Sequence, residues 1–398
     1  VRDVNEQTQI PDVELTKSAV FAAAQERTGC TDWGDTSVFE PALDVLLASL
    51  RTEARLHKTG EFLRWSAIVG TLSQRLLLQR DGYDRVSTEI AERPAFVIVG
   101  PPRTGTTLLH RLLALDPDSD ALRYCDVAAP VPATLPGTDE DEAKIDEVSR
   151  QLDQLHALIP DLPRMHEIDP RLPDEEFFLM SHSFMSVLDV LRARVPSYWK
   201  WVMESGDLDG LYRELKHFIA YVGQHRTGSR WVLKTPQHLL MLRHLLDGFP
   251  HAFIIWTHRD PAKFVPSGAS LSRAIRSAGS DAVRDAELGR FWMELLADGV
   301  SRAMEGRKLA SADRIADVHY HDLMRDPQAT VARIYHEASG QELPESMPGA
   351  IARYMAESPK GKHGRHSYSA EEFGLQDEEI RERFSAYVEE YDVQLEGP

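Results

Sequence analysis

Residues 96–109 constrain this chain more than any other stretch, reading Phe-Val-Ile-Val-Gly-Pro-Pro-Arg-Thr-Gly-Thr-Thr-Leu-Leu. The run Phe96-Val97-Ile98-Val99 is short, apolar and rich in β-branched side chains, as a strand buried on both faces of a parallel sheet would be. It ends on Gly100, Gly105 follows, and Leu108, Leu109, Leu112 and Leu113 then recur at helical spacing. A strand that turns through such a loop into a helix aims backbone N–H groups and the positive end of the helix dipole at one point, which suits an anion. The two glycines have the Walker A spacing, but Thr106 stands where that motif carries its Lys. An ATP-dependent small-molecule kinase would lack the charge that reaches the outer phosphates; here the cation of the loop is Arg103. The same residues also suit a tight strand-to-helix turn in which Gly105 merely allows packing.

Runs of the same kind occur at Trp231-Val232-Leu233, at Phe253-Ile254-Ile255-Trp256 and, more weakly, at Ile315-Ala316-Asp317-Val318. Counting the run at 96–99, helical patterns follow the first three of the four runs, so strand, loop and helix repeat. That predicts an α/β fold: a P-loop-like parallel sheet flanked by helices. From Leu15 to Arg80 the apolar spacing is helical throughout, giving a helical N-terminal region, 1–93, packed on an α/β domain, 94–398. Between about 130 and 230 no strand is convincing, and a helical insertion is expected there, its acidic run from Asp139 to Glu147 forming a solvated face.

The 45 basic residues against 63 acidic ones leave a net charge of −18, which argues against nucleic acid and anionic membranes as partners. Cys30 and Cys125 are too few and too far apart for a disulfide framework or a metal cluster, as in a reducing compartment. No run approaches the roughly 18 apolar residues of a membrane span, and the acidic start does not read as a signal peptide, so a cytoplasmic protein is expected.

Two further segments follow predicted strands. In Lys234-Thr235-Pro236-Gln237-His238, Thr235 suits an N-cap and Pro236 a first helical position, which puts Lys234 at the carboxyl edge where open sheets bind ligands. A solvated lysine and a packing His238 fit as well. In His258-Arg259-Asp260-Pro261 the tripeptide mimics a kinase catalytic loop, but Val265 stands where that loop needs Asn. Pro266 is expected to bend or break the following helix and to turn Ser267 back toward Arg259, where a fork and a hydroxyl would bind a terminal phosphate.

Together these segments, Leu-Lys-Thr-Pro at 233–236 and Arg365-His366-Ser367-Tyr368 included, resemble the bacterial, mycobacterial-type branch of the sulfotransferases that use 3′-phosphoadenosine 5′-phosphosulfate (PAPS). The resemblance runs in order from Pro94 to Gly374. It implies that Pro102, Arg103, Thr104, Gly105, Thr106 and Thr107 hold the 5′-phosphosulfate, that Arg259 and Ser267 hold the 3′-phosphate, and that the late basic segment with Lys362 and Arg365 closes over it, unless that segment is simply a solvated loop. The implied reaction passes a sulfuryl group to a hydroxyl of a small, neutral or apolar, lipophilic or phenolic acceptor. It needs no metal and releases 3′,5′-ADP.

Fixed cations, Arg103 and Lys234, would stabilise the leaving phosphate oxygen. For the base, vertebrate relatives carry a His where Pro236 stands, which weakens His238. Glu175 of Pro173-Asp174-Glu175 matches the Pro-x-Glu of the bacterial branch and is preferred, with His238 second and His166 third. Glu175 equally suits a helix-start carboxylate. Met165, Phe177, Phe178, Phe184, Tyr198 and Trp199 would line an acceptor pocket or else fill the core. From another functional class, a nucleotide-sensing module would keep the loop and lack the base.

Overall fold

The structure, a computed structural model, describes residues 10–131, 139–357 and 367–397. Five parallel strands form one sheet: β1 (Ala95–Val99), β2 (Ser119–Ala121), β3 (Arg230–Lys234), β4 (Ala252–His258) and β5 (Ile315–His319), in the spatial order β2-β3-β1-β4-β5. β1, β3, β4 and β5 are the runs expected from sequence. β1 is buried along its whole length between β3 and β4, which is what its unbroken apolar run requires. β2 was not foreseen: Ser119-Asp120-Ala121 is short, polar and only partly buried, an edge strand that carries no hydrophobic signal.

Register places the site. Ile98 pairs with Lys234 and Val99 with Trp256, so Gly100, Lys234 and His258 leave the sheet at the same edge. After β1 the chain goes to one side for β2 and β3 and then crosses to the other for β4 and β5; β1 is therefore the switch point, outside whose carboxyl end ligands bind in sheets of this kind.

Helices Lys17–Thr28, Phe39–Thr52 and Lys58–Arg80 make up the N-terminal region, and their Leu43, Leu46, Leu72 and Leu76 join one apolar cluster with Leu211, Leu215 and Ile254. A buried ion pair ties them down: Arg75 donates to Glu214 of helix Leu208–Val222 at 2.8 and 3.2 Å and lies 3.9 Å over the Phe39 ring. Among the described residues of the insertion no strand forms, as expected. Phe184, Tyr198 and Trp199 are core here. The Tyr198 hydroxyl donates to the Phe184 carbonyl at 2.8 Å, and Phe184 packs on Phe39. All three side chains are buried and support the helices. Among the described residues no helix is long and apolar enough to cross a membrane.

Candidate active site

The loop from Gly100 to Gly105 turns β1 into helix Thr106–Leu113, whose Leu109, Leu112 and Leu113 are buried against the sheet. Its shape depends on both glycines. Gly100 has φ 152°, and a Cβ there would lie 2.2 Å from Thr257 Oγ1; Gly105 has φ 91° and would press Leu323. Thr104 is buried and pins the loop from inside, its hydroxyl donating to the Pro101 carbonyl at 2.7 Å and sharing a 2.6 Å hydrogen bond with Thr257. Pro102 and Thr107 are half-buried, and Thr106 is buried at the first helical position. Arg103 is exposed, with φ 68°. Gly100→Ala is expected to lower stability by about 1–3 kcal/mol through strain and the clash with Thr257, read as a fall in melting temperature.

β3 ends on Lys234, which is 1% exposed. Its Nζ donates to Glu175 and lies 3.4 Å from Thr107 Oγ1 of the loop. One ammonium thus joins the loop, the sheet edge and the insertion. Glu175 is also buried, and burial pushes its carboxyl up to about 7, against the opposing pull of Lys234. The neighbouring Glu176 has the opposite balance. Burial pushes it up, but His238 and the Lys234 backbone N–H outweigh that and hold it below the usual carboxylate range.

Both ring nitrogens of the fully buried His238 are engaged: Nε2 with Glu176 at 2.7 Å and Nδ1 with the Tyr212 hydroxyl at 2.8 Å. Helix Gln237–Leu240 starts one residue later than the sequence suggests, with Thr235 Oγ1 accepting from the Gln237 N–H at 3.3 Å.

His166 and Asp174 complete the cluster, each with a ligand-type atom within 4.8 Å of one on Glu175. Burial pulls the His166 imidazole below its ordinary pKa, so it is neutral at pH 7. A metal ion bound by this trio would compete with the ammonium already on Glu175. Arg111 holds the segment by donating to Glu167 at 2.6 Å. Beside the cluster, Tyr124 meets Phe178 edge to face at 5.1 Å, and Phe177 lies 4.6 Å from Phe178. Tyr124 has no motif around it in the sequence; the pairing of Arg123 with Pro173, with the Tyr124 N–H donating to the Leu172 carbonyl at 3.0 Å and the Asp174 N–H to the Leu122 carbonyl at 2.9 Å, brings it here.

Arg259 leaves β4 beside the loop and donates to the Arg103 carbonyl at 2.7 Å while lying 3.8 Å over the Tyr320 ring. Its fork holds a carboxylate of the chain's own C-terminal tail, Glu396, through Nε at 2.5 Å and Nη2 at 2.8 Å. Burial pushes the Glu396 carboxyl up, and the Arg259 bonds outweigh it, leaving it below its ordinary range. Asp260, the expected N-cap of helix Pro261–Ser277, accepts from the Glu396 N–H at 2.8 Å and from Arg381 at 2.7 Å, which fastens the tail.

That helix corrects one expectation, for it runs unbroken through Pro266, held by close packing in which a Cβ at Gly268 would lie 2.5 Å from the Trp292 ring. Ser267 is half-buried on its second turn. Lys362 and Arg365 lie outside the described residues.

A model of the sulfotransferase family matches residues 94–343. Omega-hydroxy-beta-dihydromenaquinone-9 sulfotransferase Stf3 of Mycobacterium tuberculosis is 25% identical over 315 residues, covering 76% of this chain and 77% of that protein, and the Mycobacterium bovis protein of the same name matches equally. Among solved structures, sulfotransferase STF1 from Mycobacterium tuberculosis superposes with a TM-score of 0.80 at 29% identity, over 94% of this chain and all of that one. Sulfotransferase STF9 from Mycobacterium avium gives 0.84 at 27% identity, over 98% of this chain and all of that one.

Proposed function

The chain belongs to the sulfotransferase family and is a sulfotransferase, and on that premise we propose that its donor is PAPS, its acceptor a small lipophilic alcohol or phenol, and its base Glu175. The observation that carries this is the position of Lys234 Nζ between Thr107 of the anion loop and a Glu175 carboxyl whose pKa is raised to about 7. A base with that pKa is poised at neutral pH. The acceptor O–H gives its proton to Glu175 as the acceptor oxygen bonds to sulfur, the bond from sulfur to the 5′-phosphate oxygen breaks, and that oxygen leaves on 3′,5′-ADP. Negative charge growing on the leaving oxygen meets Lys234, Arg103 and the N-terminus of helix Thr106–Leu113.

His238, sealed between Glu176 and Tyr212, positions the turn after β3 and leaves the base role to Glu175. Tyr124 and Phe178 beside Glu175 supply apolar walls, in keeping with the hydroxylated menaquinone in the name of the Stf3 relatives. The division at about residue 94, where the family match begins, belongs to the same proposal: helices before it support the insertion, and the α/β domain after it carries the reaction.

The 3′-phosphate takes the Arg259 seat in which Glu396 now lies. A carboxylate on an arginine fork beside the loop is a fair stand-in for a phosphate oxygen pair. Glu396→Ala is therefore expected to tighten 3′,5′-ADP by about fivefold, near 1 kcal/mol for a partly exposed pair, measured by calorimetric titration. Transfer of labelled sulfate from PAPS to a panel of alcohols and phenols tests the proposal as a whole. No transfer to any of them, together with no thermal stabilisation by 3′,5′-ADP, would sink it.

A further inference from the structure

A cleft sharing no residue with the loop, Lys234 or Glu175 opens between the turn after helix Phe39–Thr52, the end of helix Val187–Arg192, the end of helix Pro261–Ser277 and the start of helix Asp285–Arg307. Arg55, Arg192, Arg194, Arg276 and Arg284 line it, against Glu287 alone among its lining carboxylates. In a chain of net charge −18, such a concentration of cations calls for a reason. The one carboxylate is already spent, because Arg194 Nε donates to Glu287 while its Nη1 reaches the Glu53 carbonyl at 3.5 Å.

Arg276 is the most exacting member. It is 8% exposed, its Nη2 donates to the Val190 carbonyl, and its Nε is buried with no hydrogen-bond partner among the described residues. Burial, opposed by Glu287 and helped by Arg194, pulls the guanidinium down to about 10. A buried cation with an unmet donor is costly unless an anion joins it. Arg192 faces Asp189 and Arg64 on its other side, a pair whose charges offset each other. The enclosed part of the cleft is small, about 20 Å³, and it opens to solvent, so an anion would sit at its mouth.

We propose that this cleft is a second anion site, separate from the reaction site, that takes a tetrahedral oxyanion: a phosphate or sulfate group, free or at the end of a monoester. Arg276 Nε supplies the buried donor, and Arg192 and Arg284 the charges at the mouth. Arginine forks fit two oxygens of such a group at once.

The test is calorimetric titration of the full chain with sodium phosphate and with glycerol 3-phosphate, against sodium chloride at matched ionic strength. Wild type is compared with Arg192→Gln/Arg284→Gln. Any anion held by the reaction-site loop binds both proteins alike, so the difference between them reports the cleft alone and does not depend on the identity of the donor. The expected result is a binding step in wild type that weakens by about tenfold or more in the double variant. Glycerol 3-phosphate binding tighter than phosphate assigns the end-group source, and equal affinity assigns the free ion. Isotherms identical in both proteins, or heat reproduced by chloride, would overturn the proposal. Should the double variant lose its fold by circular dichroism, Arg284→Gln alone, at an exposed position, serves the same comparison.

Discussion

Replacing Glu175 by Gln is expected to lower kcat by about 10²- to 10⁴-fold, the worth of a positioned general base, while leaving 3′,5′-ADP affinity close to that of wild type. The separation follows from geometry: Glu175 touches Lys234 and faces Asp174 and His166, whereas the loop and Arg259 hold the nucleotide in the proposed complex. The pH profile carries the more specific signature. Glu175 is protonated below about 7 because burial raises its carboxyl, and only the carboxylate accepts a proton. In wild type, kcat/KM therefore rises about tenfold per pH unit up to near pH 7 and then levels. Glu175→Gln should erase this ascending limb, and Glu175→Asp should keep a limb at reduced rate. An unchanged limb in the Gln variant would remove Glu175 from the base role and return attention to His166, whose imidazole burial keeps neutral.

What could be read in advance was what local chemistry dictates. The Gly100–Gly105 loop was legible because a β-branched run, two glycines and a leucine-spaced helix agree on one geometry, and positive φ at both glycines is that geometry. Lys234 was legible for the same reason, at the end of a buried run. The order of strands, β3 and β4 on either side of β1, is a long-range choice to which no single segment points. β2 escaped because an edge strand three residues long need not be apolar. The aromatic run of the insertion divides between two jobs that composition cannot distinguish: Phe177 and Phe178 lie by Glu175, while Phe184, Tyr198 and Trp199 sit under the N-terminal helices.

Glu396 is the clearest case of missing information. It meets Arg259 across 136 intervening residues, and nothing in a plain acidic tail says which cation it will find. Sequence suits His238 to a base or to packing alike, and it is committed on both nitrogens because Glu176, next to the favoured carboxylate, and Tyr212 converge on it. Adjacent glutamates with opposite shifts, one raised by burial and one held down by its donors, are set by what faces them in space and not by their spacing.

Lys234→Met is expected to reduce kcat/KM by about 10²- to 10³-fold, as the loss of one preformed charge at a developing oxyanion does, and to move the ascending limb to higher pH. The second effect separates Lys234 from a cation that acts on the donor alone. Lys234 is the chief group opposing the effect of burial on Glu175, while Asp174 and Glu176 push the same way as burial. Without the ammonium the carboxyl holds its proton more tightly, so the base forms only at higher pH. Above that higher pH, where Glu175 ionises with no partner, the broken pair costs up to about 3–5 kcal/mol, so the melting temperature of Lys234→Met should fall most at alkaline pH and little where Glu175 stays protonated. Lys234→Met/Glu175→Gln should recover part of that fall, since neither charge then remains buried alone. Its rate should lie near that of the weaker single variant and well above the product of the two losses, because the residues act as one unit. Lys234→Arg keeps the charge but replaces a point cation in a fully buried slot with a planar fork. It should hold the limb closer to its wild-type position without restoring the rate. A limb that stays at the same pH in Lys234→Met would mean that Lys234 and Glu175 titrate independently, and the pair could then not be the centre of proton transfer.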